Sequence, residues 1–114
     1  RGDVGAVYSL RRGAAEALEL VAHGDAKTSQ IIGKRIDQID WPHGVTVAAL
    51  VRNFDKAVIV GQTDDWTAIT RHGEVVIAHH DTVIEPEDHV IVFCTRKKLV
   101  KKVEKLFQVS FHFF

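Results

Sequence analysis

The alternation of apolar and polar positions divides the chain into short segments, most of them of strand length. Val45 to Arg52 (VTVAALVR) is an apolar run rich in β-branched residues, and Glu74 to Ala78 (EVVIA) and His89 to Thr95 (HVIVFCT) read the same way. Val58 to Gly61 and Thr67 to Thr70 are shorter strand candidates, separated by the polar turn Gln62-Thr63-Asp64-Asp65. His72-Gly73, Pro86 and Asp88 supply further turn signals. The period changes after Thr95. Leu99, Val100, Val103, Leu106 and Phe107 fall at i, i+1, i+4, i+7 and i+8, the stripe of an amphipathic helix that Thr95 is placed to cap. Lys98, Lys101, Lys102 and Lys105 lie mostly off that stripe. A second, short helix is predicted over Lys34 to Trp41, where Ile36 and Ile39 are three apart with Asp37 and Asp40 beside them, and where Pro42 and Gly44 follow. Before it come the turn signal His23-Gly24-Asp25 and Thr28-Ser29, residues suited to cap a helical turn.

Ala14 to Ala22 (AAEALELVA) supports two readings. Its Ala, Leu and Glu content favours helix by propensity, while Leu18, Leu20 and Ala22 give the alternation of a strand, and periodicity does not settle the matter. The tail ends in Phe111, Phe113 and Phe114, which predicts either docking on the domain or a contact with a partner. Together these segments predict a small α+β domain with a mixed or antiparallel sheet and two helices.

Composition narrows the class. With 114 residues, 46% hydrophobic and 26% charged, the chain is sized for one globular domain. No apolar run approaches the roughly 20 residues that span a bilayer. The chain opens on Arg1-Gly2 and contains no Met, which predicts a piece of something longer, and Arg1 to Leu10 lacks the layout of a signal peptide. Fifteen basic and fifteen acidic residues cancel, so bulk charge makes no case for nucleic acid. Cys94 is the only cysteine; lying in an apolar run, it reads as a buried structural thiol in a reducing compartment.

Few chemical motifs survive testing. Gly33-Lys34 invites a phosphate-binding loop, but Thr28 stands where the first glycine is needed and Arg35 where a hydroxyl is needed. No glycine triplet has dinucleotide-binding spacing. The adjacent His79 and His80 would point to opposite faces of a strand. A metal-dependent enzyme therefore needs His79, Asp81 and His89 to converge, and a polar loop is the simpler reading. No serine lies in a nucleophile elbow, and Glu85, Glu87 and Asp88 around Pro86 read as a solvated turn. Arg11, Arg12, Arg52 and Arg71 are the better candidates. A guanidinium can hold a phosphate or carboxylate through two parallel hydrogen bonds, or it can simply pair with a neighbouring Asp or Glu.

Ser9-Leu10-Arg11-Arg12-Gly13-Ala14-Ala15-Glu16, followed by Val21-Ala22-His23-Gly24, carries a resemblance. This stretch resembles the TrkA-C family, the C-terminal half of the potassium-conductance-regulating (RCK) unit found in peripheral subunits of bacterial Trk potassium-uptake systems. Further matches run through Ile32-Gly33-Lys34, Pro42-His43-Gly44-Val45, Val51-Arg52, Asp81 to Ile91 and Val103 to Gln108. Nearly the whole chain is covered apart from Asn53 to Thr70.

The resemblance implies a regulatory domain over residues 13–114, with an insert near 53–70, and makes Ala14 to Ala22 a strand. Residues 1–12 then resemble the exit strand and linker of an upstream Rossmann (TrkA-N) domain. Such a domain holds NAD(H) or another nucleotide, so no cofactor is expected in this fragment. The resemblance further implies a non-enzymatic cytoplasmic domain, peripheral to the inner membrane. It would form a homodimer or higher homo-oligomer and couple ligand state to a Trk-type potassium-translocating subunit. Some relatives bind small anionic effectors, including cyclic dinucleotides, between paired copies. Here Arg52 or Arg71 would hold the charge and Val45 to Val51 would line the apolar side. The alternative is a purely structural dimerisation module with no ligand of its own. Two departures stand out. Glu87-Asp88 replaces the Gly-Asp of many members, and Asn53 to Thr70 intervene after the strand-end arginine, as an extra hairpin or as a loop carrying Trp66.

Overall fold

The computed structural model describes residues 4–10, 15–65 and 67–110, so Arg11, Arg12, Trp66 and the Phe111–Phe114 tail lie outside the described residues. Five strands, β1 (Val4–Leu10), β2 (Ala15–Val21), β3 (Val45–Gln62), β4 (Thr67–Ile77) and β5 (His89–Cys94), form one sheet in the order β1-β2-β5-β3-β4. Every pairing is antiparallel. One α-helix, α1 (Val100–Leu106), follows a 3-10 turn at Lys97–Leu99, and a second 3-10 turn spans Ile36–Gln38. The architecture is the expected α+β one.

β5 occupies the centre because both its edges are paired: Leu18 of β2 lies opposite Val92, and so does Val47 of β3. The two-residue period of a strand then sorts side chains by face. Val90, Val92 and Cys94 are buried, as are Glu16, Leu18 and Leu20 of β2. On β3 a bulge between Val47 and Ala49 shifts the alternation, so Val45, Val47 and Leu50 all meet the core. Against this face pack Ile31, Ile32, Ile39 and Ile84 from the connections, and Leu99, Val103 and Phe107 from the C-terminal helical segment. Trp41 closes the layer beside Phe107, with ring centroids 6.2 Å apart. The opposite face, with Ala17, Ile91, Phe93, Val51, Val75 and Ile77, has no second layer among the described residues. There Val75, Ile77 and Phe93 are 64%, 63% and 43% exposed.

The ambiguous segment Ala15–Val21 is a strand. Hydrogen-bonding edges on both sides, with β1 opposite Ala17 and β5 opposite Leu18, override its helix propensity. The helix predicted over Lys34 to Trp41 contracts to a single 3-10 turn because its backbone is engaged elsewhere. The amide of Ile36 donates to Thr82 O and that of Asp37 to His80 O, and Gly33 and Lys34 exchange bonds with Ile84. Thr95 does not cap the C-terminal helix; its amide donates to Gly44 O. The turn at His23-Gly24-Asp25 is held instead by the Asp25 carboxylate, which accepts from the Lys27 and Thr28 amides at 2.9 and 3.0 Å and is thereby drawn below the usual carboxylate range. Residues 53–65 and 67–70 form the outer part of the β3–β4 hairpin, which stays paired out to Gln62 and Thr67. β5 stops pairing with β3 at Val51, so beyond that point the hairpin is a two-stranded ribbon.

Phe107 is 1% exposed, belongs to the core cluster and stands beside Trp41. Phe107→Ala is expected to destabilise the chain by about 3–5 kcal/mol through lost contacts and the cavity left behind. The check is a lower midpoint in urea denaturation with an unchanged slope.

Candidate functional site

Arg52 stands where β3 parts from β5: Val51 is the last residue paired with β5, opposite His89. Asp88, immediately before β5, sits directly beneath it. The Asp88 carboxylate is buried, 1% exposed, and accepts from Arg52 Nε at 3.1 Å and from the Glu85 amide at 2.8 Å. The rest of the guanidinium is also engaged. Arg52 Nη2 donates to Val83 O, and Nη1 lies 3.3 Å from Glu85 Oε2.

Asp88 and its turn are tied to β2 as well. The Ala22 amide donates to Asp88 O at 2.8 Å, and the Glu87 amide donates to Ala22 O at 2.7 Å. His23 Nδ1 lies 2.9 Å from Glu87 Oε2 above this junction, and on the open sheet face His89 Nδ1 lies 2.8 Å from Glu19 Oε2. Glu87 adopts φ +66°, the left-handed conformation that glycine takes without strain. The turn therefore keeps its glycine-type backbone in this chain, and the side chain it gains is the one that meets His23.

A cleft of about 320 Å³ opens here, lined by Arg52, Asn53, Glu74, Pro86, His89 and the acids of the 85–88 turn. Four carboxylates, Glu74, Glu85, Glu87 and Asp88, surround one guanidinium, so the cleft as it stands does not favour an anion. An anionic ligand would have to take Nη1 from Glu85, an exposed side chain, while the buried Asp88 kept its own contact. The Arg71 backbone lies opposite Ala57 in the outer hairpin, and its side chain is outside the described residues. His79 and Asp81 lie on the exposed loop after β4, and among the described residues no three His, Cys, Asp or Glu side chains are placed to hold a metal ion. Cys94 is buried, and burial, with the charge of Glu16 adding to it, pushes its thiol above the usual range.

Sequence reasoning placed Arg52 at a strand end but missed its partner. Asp88 was grouped with a solvated turn, whereas its position directly before the most apolar strand is the signal that it turns inward. Burial raises the Asp88 carboxyl above its ordinary value, against the opposing pull of the Glu85 amide and Arg52. In the folded state Asp88 therefore binds its proton at a pH where the unfolded chain is still ionised. Its contribution to stability grows as pH falls through that window and is lost as pH rises. Asp88→Asn is expected to flatten this part of the stability–pH curve. Arg52→Met leaves a buried carboxylate without its counter-charge, at a cost of about 3–5 kcal/mol near pH 7. That cost is expected to shrink as pH approaches the carboxylate range, because protonated Asp88 needs no cation. Urea denaturation of both variants at several pH values checks this, and an Arg52→Met penalty independent of pH would rule Asp88 out as the partner.

No protein-family model matches the chain. Curated relatives do. The chain is 45% identical over 114 residues to the Trk system potassium uptake protein TrkA of Halomonas elongata, and 46% identical over 110 residues to the protein of that name from Vibrio alginolyticus. It is 38% identical over 113 residues to the Haemophilus influenzae one. These alignments cover 96–100% of this chain but only 20–21% of the relatives. Over its whole length the chain is thus similar to a segment of TrkA proteins, and it spans about one fifth of the length of the relatives it matches.

Proposed function

We propose that the chain is the C-terminal regulatory domain of a potassium-uptake system, a non-catalytic module that pairs with a second copy and passes ligand state to a membrane potassium transporter. The observation that carries this reading is the full-length similarity to proteins named for potassium uptake. Among the described residues no helix is long and apolar enough to cross a membrane. In this reading transport itself belongs to another subunit. Residues 13–114 make up the domain, and NAD(H) or another nucleotide belongs to an upstream Rossmann domain. The domain works on the cytoplasmic side.

The sheet face left uncovered among the described residues supports pairing. Val75, Ile77 and Phe93 are the kind of exposed apolar cluster that a second sheet covers in a sandwich. The Arg52 cleft lies at the His89 end of this sheet, where pairing would bring two copies of it near the interface. A ligand there shifts the equilibrium only if it binds one arrangement of the pair more tightly than another, and the exposed Arg52–Glu85 contact is the one it would exchange. One observation favours the ligand-free alternative: the donors of Arg52 already have partners, as a structural pin requires.

Light scattering across a concentration series is expected to show a dimer that Val75→Glu or Phe93→Glu converts to monomer, with circular dichroism unchanged. A chain that stays monomeric at every concentration would end the pairing proposal. Thermal shift with anionic nucleotides and cyclic dinucleotides separates the two readings, since a ligand at 100 times its Kd adds about 2.7 kcal/mol. No shift with any of them would leave the structural module as the reading.

A further inference from the structure

The ten residues Arg96 to Lys105 hold six of the chain's fifteen Lys and Arg residues but only one of its fifteen acids, Glu104. Elsewhere nine cations face fourteen acids, so a chain of zero net charge divides into a segment of +5 and a remainder of −5. Folding does not cancel the division. The ion pairs of the described residues join Arg35 to Asp37, Arg52 to Glu85 and Asp88, His23 to Glu87 and His89 to Glu19; none takes a cation from this segment. Arg96, Lys97, Lys98, Lys101, Lys102 and Lys105 are all exposed.

The scaffold fixes how they are displayed. Leu99, Val103 and Phe107 hold the segment in the core, so the helical period sends the lysines outward. Lys97, Lys101 and Lys105 form one row spaced by four, and Lys98 and Lys102 form a second beside it. Like charges at this spacing repel one another, so the arrangement works against the helix that carries it. Along the segment runs a shallow, mostly apolar groove of about 490 Å³, walled by Val100, by the stems of Lys97, Lys98 and Lys101, and by Glu16 and Glu104. Lysine stems are suited to cover such a surface while their ammonium groups reach out.

We propose that this lysine face docks directly on an anionic phospholipid surface. A cluster of four to eight cations on an amphipathic helix is attracted to acidic headgroups within a Debye length. Five of the six cations are lysines. They are mobile point charges without the planar fork that selects particular carboxylates, which suits a diffuse layer of phosphates better than a defined acidic protein site. No aromatic residue lies among them to stack on bases, which counts against single-stranded nucleic acid. The proposal goes beyond the reading above, in which the membrane is met only through another subunit, and vesicle binding by the isolated chain tests it apart from that reading.

The experiment is co-sedimentation of the 114-residue chain with vesicles of phosphatidylcholine alone and of phosphatidylcholine mixed equally with phosphatidylglycerol, at low and high salt. Binding is expected only with the anionic vesicles, and salt is expected to abolish it. Each lysine near the surface contributes about fivefold. Lys101→Gln with Lys105→Gln should therefore weaken partitioning by at least about tenfold, and adding Lys98→Gln and Lys102→Gln by at least about a hundredfold. Lys27→Gln with Lys34→Gln, an exposed pair outside the segment, should leave binding unchanged. Circular dichroism establishes that each variant is folded, and the double variant serves if the quadruple one is not. Absence of binding to anionic vesicles at low salt would overturn the proposal. So would equal binding to both vesicle types, unchanged binding by the double variant, or tighter binding to polyglutamate or an oligonucleotide.

Discussion

Because β5 is hydrogen-bonded along both edges, it can neither twist away nor slip in register without breaking two ladders at once. A one-residue shift against β2 or β3 would carry Val90, Val92 and Cys94 out of the core and bring His89 and Phe93 into it. Everything else takes its position from this strand. The turn before it places Asp88 beneath Arg52, and the turn after it, pinned by the Thr95 amide on Gly44 O, sends the chain into the helix that closes the core.

The same strand explains why the two faces of the sheet have different roles. One face is filled by a single thin layer of helix and connections, and the other is apolar and, among the described residues, uncovered. Charge follows a related division. The acids of the cleft gather before β5, and the lysines follow it, so opposite electrostatic characters flank the strand that organises the core.

Strand β5, the inner part of β3 and the C-terminal helix were legible in the sequence, because each buries one face against a layer and so shows its period. The segment 15–21 was not legible from period alone. Its residues suit a helix, and only the flanking strands, β1 before it in the chain and β5 70 positions later at the Glu19–His89 contact, decide against it. The segment around Ile36 misled for the opposite reason. Its apolar spacing was real, but its amides are taken by residues 80–84. At the candidate site, Arg52 was legible as a strand-end cation, whereas its pairing with Asp88 spans 36 positions and no local pattern announces it. The family resemblance singled out the 85–88 turn only as a departure. The departure noted at Glu87, where many relatives carry glycine, leaves the backbone left-handed all the same.

The burial of Cys94 has a practical side. Its sulfur lies inside the core, with the thiol held in its unreactive protonated form, and the chain has no other cysteine. A cysteine introduced at an exposed position would thus be the one readily alkylated thiol. Spectroscopic probes can be attached along the open sheet face or the lysine segment without first removing the native residue.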